Sequence, residues 1–256
     1  MSYKLLALTS APATAPMKNL CYLCLLFFTL ACADDDDGMT TPTPPEPTPD
    51  APFTYLALGD SYTVGTSVAE EGQWPRQLLR RLETEGVVTW PTEANVLDIV
   101  AVNGWTTGDL IRGIKGRDDL RENYDLVSLL IGVNNQFQNR SLEEYRMEFM
   151  QLLQEAIERA GGESDRVFVV SIPDYAFTPF GNGREDISRG VDRFNAAAKE
   201  ITDAAGVNNY FITDISREGL NDPSLVATDG LHPSASQYGR WVEEVLYPAL
   251  AVQLQP

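Results

Sequence analysis

The chain's single histidine, His232, stands in Asp229-Gly230-Leu231-His232-Pro233, three residues after an acid on a short loop bounded by glycine and proline. Such a loop can aim a carboxylate at one ring nitrogen and leave the other facing outward, which is what a general base needs. Far upstream, Gly59-Asp60-Ser61-Tyr62-Thr63-Val64-Gly65 follows an apolar run. A serine at a strand-to-helix turn meets free backbone N–H groups that favour developing negative charge. The alternative is an ordinary polar turn, for which Gly-Asp-Ser is equally suited. Two further segments end apolar runs in the same way. Asn103-Gly104-Trp105 offers a glycine, where backbone can approach a ligand closely. Gly132-Val133-Asn134-Asn135 offers a side-chain amide, either as a donor to a ligand or as a helix cap.

Other chemistries are excluded by counting. The cysteines are Cys21, Cys24 and Cys32, so the chain beyond residue 32 has no thiol nucleophile, disulfide or zinc–thiolate cluster. One histidine leaves no multi-histidine metal site, and no metal is expected. The first strand lacks a Gly-x-Gly-x-x-Gly turn and a phosphate-binding lysine, which argues against a nucleotide or flavin, and no cofactor is expected. Nineteen Lys and Arg face thirty-seven Asp and Glu, a formal net charge of -18 that repels nucleic acid and anionic membrane surfaces.

The elements that must position these residues read as one α/β domain over 53–256. Apolar runs at Phe53–Leu58, Val96–Val102, Leu126–Ile131, Val167–Ile172 and Tyr210–Thr213 suit parallel strands buried on both faces. Between them lie helical patterns. Ser141 and Glu144 form a capping box ahead of Leu142, Tyr145, Phe149, Leu152, Leu153 and Ala156. A second helix carries Ile187, Val191, Phe194, Ala198, Ile201 and Ala205, stopped by Gly206. The last begins near Ser234, with Gln237 completing a capping box, and buries Tyr238, Trp241, Val242, Val245 and Leu246. Five strands and about five helices make a doubly wound domain, whose ligands bind beyond the carboxyl ends of the strands.

Each of the four segments lies just there, in a loop after a strand or before the last helix, and together they resemble the SGNH or GDSL hydrolase family over about residues 53–250. The resemblance implies a flavodoxin-like three-layer α/β/α sandwich with a five-stranded parallel sheet. It also implies a serine esterase with Ser61 as nucleophile, His232 as base and Asp229 as its orienter. The oxyanion hole would comprise the Ser61 N–H, the Gly104 N–H and the Asn134 side chain. The family's third block usually ends in aspartate where this chain has Asn135, a departure that bears on local hydrogen bonding.

Residues 17–32 combine Lys18, a twelve-residue apolar run Leu20–Ala31 and Cys32, and resemble a bacterial lipoprotein signal in which Cys32 is lipidated. The run is short for a bilayer span, Thr29 stands where leucine is expected, and Met17 is the expected true start. Asp34–Asp37 resembles the surface-export signal of Bacteroidota lipoproteins or is a solvated spacer, and residues 38–52 alternate Thr and Pro as a polyproline-like tether. The expected organisation is therefore a signal region 1–32, a tether 33–52 and a hydrolase domain 53–256, held at the cell envelope by a lipid anchor alone. The expected substrate is a small-acyl ester, a glycan O-acetyl group foremost. The alternatives are a lysophospholipid or thioester, or a surface glycan-binding lipoprotein without catalysis. The loop 174–183, with Tyr175, Phe177 and Phe180, either lines an acyl or sugar pocket or covers the end of the sheet.

Overall fold

Tyr55, Leu56, Ala57 and Leu58 have no exposed surface, the mark of a strand covered on both faces. They belong to β1 (Thr54–Gly59), which pairs in parallel with β2 (Val96–Ala101) on one side and β3 (Leu126–Leu130) on the other. β4 (Val167–Val170) and β5 (Asn208–Tyr210) extend the sheet in the order β2-β1-β3-β4-β5, all parallel. The computed structural model describes residues 52–88 and 96–254. The expected leader, with Met17 and Cys32, and the tether up to residue 51 lie outside the described residues.

The fold is the expected three-layer α/β sandwich. α2 (Trp74–Thr84) packs with α8 (Ala235–Arg240), a π-helical turn (Trp241–Leu246) and α9 (Tyr247–Gln253). α3 (Thr107–Lys115), α5 (Leu142–Arg159) and α6 (Glu185–Ala205) form the other helical layer. Three short helices complete the set: α1 (Ser61–Val64), α4 (Val133–Phe137) and α7 (Thr213–Ser216). Nine α-helices among the described residues replace the expected five or so, because single-turn helices carry too few residues to show periodicity. Trp74, Tyr55, Tyr145, Phe168, Tyr238 and Trp241 fill the core from both sides of the sheet.

Two expectations are corrected. The apolar run Tyr210–Thr213 is not a strand: β5 is Asn208–Tyr210, and Thr213 opens α7. The chain leaves the ladder because the Ser171 hydroxyl, not a carbonyl of β4, accepts the Ile212 N–H at 3.0 Å. The last helix is broken. Pro248, in the first turn of α9, offers no N–H to the carbonyl four residues back, and the turn just before it widens to a π-helix. Its start is as read, with Ser234 Oγ accepting from Gln237 N, but the Gln237 amide donates to Leu225 O instead of closing a box.

Candidate active site

β1 delivers Ser61. Its last residue must be glycine, since a Cβ on Gly59 would stand 2.1 Å from Thr63 Oγ1 and 2.5 Å from Leu130 O. Asp60 caps α1, its Oδ1 accepting from Tyr62 N at 3.0 Å. This side chain is fully buried, and its Oδ2 has no hydrogen-bond partner among the described residues. Burial pushes the Asp60 carboxyl up to about 7, against the opposing pull of the Tyr62 N–H. Ser61 follows as the first residue of α1, where a backbone N–H has no intrahelical acceptor.

The loop before α8 carries His232. His232 Nδ1 lies 2.7 Å from Asp229 Oδ2, and Asp229 Oδ1 accepts from the backbone N–H groups of Leu231 and His232, each at 2.9 Å. Ser67 Oγ donates to Asp229 Oδ2 at 2.6 Å. Partial burial alone would raise the Asp229 carboxyl. The Ser67 hydroxyl, the two backbone donors and the histidine together hold it well below the usual carboxylate range. An ionised Asp229 accepts a hydrogen bond from Nδ1–H and holds the ring proton there, which leaves the Nε2 lone pair free. Tyr62 packs edge-on to the imidazole, ring centroids 5.6 Å apart, and fixes its plane.

Asn134 lies in α4, and its Nδ2 donates to Trp105 O at 2.9 Å, which orients the amide and leaves its second N–H for another acceptor. Gly104 sits in a turn closed by Trp105 N to Val102 O at 3.2 Å, with φ +86. Asn103, one residue earlier, lines the same cavity as Ser61, Asn134 and His232, whereas Gly104 stands just outside that lining. Neither Ser61 nor His232 is hydrogen-bonded to the other; both face the cavity, of about 210 Å³. Nucleophile–base bonds commonly tighten only once substrate is bound.

Asn135 has a defined place. Fully buried, it accepts from Thr107 N at 2.9 Å and donates through Nδ2 to Thr107 Oγ1 at 2.6 Å, freeing that hydroxyl to donate to Glu148. Aspartate here could not donate to Thr107 and would put a second carboxylate on one hydroxyl. Asn135→Asp is therefore expected to lower stability by about 2 kcal/mol or more at neutral pH, with partial recovery in acid. Thermal melts at pH 5 and pH 8 check this, and equal midpoints for both proteins at pH 8 would refute it.

The rest of the lining is mainly apolar, with the hydroxyls of two tyrosines as its polar atoms: Tyr62, Val133, Phe137, Tyr175, Phe180 and Leu231. No carboxylate is among the lining residues. The structure thus brings Ser61, Asn134 and His232 to one cavity, with Asp229 behind the histidine. Sequence reasoning missed Ser67, whose left-handed backbone (φ +69) turns its hydroxyl toward a residue 162 positions away. It also missed Phe137, which lies in none of the segments singled out from the sequence.

Comparison with known proteins adds an independent line. Residues 57–240 match the family model described as the GDSL-like lipase/acylhydrolase family. No curated protein sequence matches the chain. Several solved structures share its fold. The psychrotrophic esterase EstA from Pseudoalteromonas sp. is 18% identical with a TM-score of 0.58, covering 78% of this chain and 98% of its own. The lipase Lip_vut3 from a goat rumen metagenome is 17% identical with a TM-score of 0.63, covering 79% and 100%. A variant of the acetyl xylan esterase Axe2 from Geobacillus stearothermophilus is 19% identical with a TM-score of 0.57, covering 81% and 97%. At such identities the likeness carries the fold.

Proposed function

The chain belongs to the GDSL-like lipase/acylhydrolase family and is a hydrolase of ester bonds, and on that premise we propose that it works through Ser61, His232 and Asp229 by way of an acyl-enzyme. The observation that supports this reading most is the Asp229–His232 pair at 2.7 Å, its histidine sharing a cavity with Ser61. His232 Nε2 takes the Ser61 proton as Oγ bonds to the ester carbonyl carbon. Negative charge moves to the carbonyl oxygen, where the Ser61 N–H and the free N–H of Asn134 can meet it, with the Gly104 N–H from the adjoining turn. The carbon–oxygen bond to the alcohol then breaks, and the alcohol leaves with the proton from His232. Water, activated by the same histidine, releases the acid and restores Ser61.

The acyl group we propose is small, in keeping with a cavity of about 210 Å³. The same reading takes the chain to the cell envelope, on the strength of the apolar run that ends at Cys32. A Cys32→Ala chain that still partitions with membranes would overturn that anchor.

Covalent labelling tests the mechanism. A fluorophosphonate is expected to attach to Ser61 with loss of fluoride, located by mass spectrometry of the peptide, and to leave Ser61→Ala unlabelled. A folded protein that neither takes the label nor turns over p-nitrophenyl acetate would refute the assignment.

A further inference from the structure

One wall of the cavity beside Ser61 is aromatic. Phe137, at the end of α4, and Phe180, in the loop after β4, are 54% and 51% exposed, yet both line the cavity. Their ring centroids are 6.1 Å apart, and Tyr175 completes a triangle at 6.3 Å from Phe137 and 6.4 Å from Phe180. Leaving two phenyl rings half in water is unfavourable unless another apolar surface covers them.

The wall is built, not slack. The Tyr175 hydroxyl donates to Gln136 Oε1 at 2.7 Å, and Phe180 N donates to Gly230 O at 2.9 Å in the loop that carries His232. Gly181 packs so closely that a Cβ would stand 2.0 Å from Tyr175 O. Asp174, fully buried at the start of this loop, is gripped by Arg217 Nε at 3.0 Å and caps Ala176 N at 3.1 Å.

The polarity of the lining decides what the wall suits. Ser61, Asn134 and His232 are committed to the reaction proposed above, and the Tyr175 hydroxyl is bonded to Gln136, which leaves Asn103 and the Tyr62 hydroxyl as the other polar groups of the lining. A sugar ring laid on the phenyl faces would leave most of its hydroxyls without protein partners. An apolar group leaves none. We infer that Phe137, Tyr175 and Phe180 form a subsite for a neutral apolar group of the ester, alkyl or aryl, in preference to a sugar ring. This rests on the Ser61 reading and deepens it by naming the substrate's chemical class. With the acyl group small, as proposed above, the wall, which adjoins both the Asn134 helix and the His232 loop, is assigned to the alcohol; a steep acyl series instead would keep the subsite and overturn the small-acyl reading.

The test uses two ester series and an acetylated xylo-oligosaccharide, with the wild type, Phe137→Ala and Phe180→Ala. Ethyl esters from acetate to octanoate vary the acyl group, while ethyl, hexyl and benzyl acetates vary the alcohol. Along one series kcat/KM is expected to rise about fourfold per buried methylene until the wall is covered; the steep series identifies the group bound. Both variants are expected to lose at least tenfold in kcat/KM on the longest member of the steep series relative to ethyl acetate. Two flat series, or a loss in the variants that falls chiefly on the acetylated sugar, would overturn the subsite and leave the catalytic reading standing. A folded protein that hydrolyses none of these esters would remove both.

Discussion

Ester hydrolysis is expected to disappear in Ser61→Ala and to fall on the order of ten-thousandfold or more in His232→Ala, with KM little changed. Alanine at 61 removes the only atom that could bond to the acyl carbon, so no slower version of the same route remains. Alanine at 232 leaves the hydroxyl but no group to take its proton, and the chain's other 255 positions contain no second imidazole. The two losses should not add: once one partner is gone the other has nothing to do, so the double variant resembles either single one. Steady-state kinetics on p-nitrophenyl acetate, beside thermal melts to verify folding, check this. A His232→Ala protein that keeps a tenth of wild-type kcat would remove the histidine from the mechanism.

Asp229→Asn is expected to lower kcat by roughly a thousandfold to ten-thousandfold without unfolding the loop. The amide oxygen is held at the Oδ1 position, because that is where the Leu231 and His232 N–H groups point. The NH₂ group must then occupy the Oδ2 position, opposite His232 Nδ1 and the Ser67 hydroxyl. It donates to Nδ1, moves the ring proton to Nε2, and so converts the base into a group that cannot accept from serine. Ser67→Ala keeps the correct tautomer and removes one of four donors to the carboxylate, so its cost should be only about tenfold. A larger loss in Ser67→Ala than in Asp229→Asn would contradict this ordering.

The residues proposed to touch the reacting bond were legible in the sequence because their chemistry is scarce. One histidine, an acid three residues before it, and a serine after an apolar run leave few other readings. Strands β1, β3 and β4 were legible because burial on both faces demands continuous apolar runs, and β2, half-buried at the edge, because only Asp98 interrupts its run. β5 was not: at the sheet edge, Asn208 and Asn209 suffice, and the neighbouring apolar residues belong to the turn into α7. Ser67 was invisible for a different reason. Its role depends on a left-handed backbone and on a partner brought near only by the fold. The consequence of Asn135 likewise needed Thr107 and Glu148 in place before its two bonds had a meaning.

The sheet order carries a consequence for how the enzyme comes into being. β1, first in the chain, lies between β2 and β3, and its serine turn meets the histidine loop only across nearly the whole length of the domain, as the Ser67–Asp229 bond over 162 positions records. During synthesis the proposed nucleophile is made early and, on that proposal, must wait for the final loop and helix before any ester can be cleaved. N-terminal fragments that lack the histidine loop are therefore expected to be inactive, so that the appearance of activity times the completion of the domain rather than the making of its serine turn.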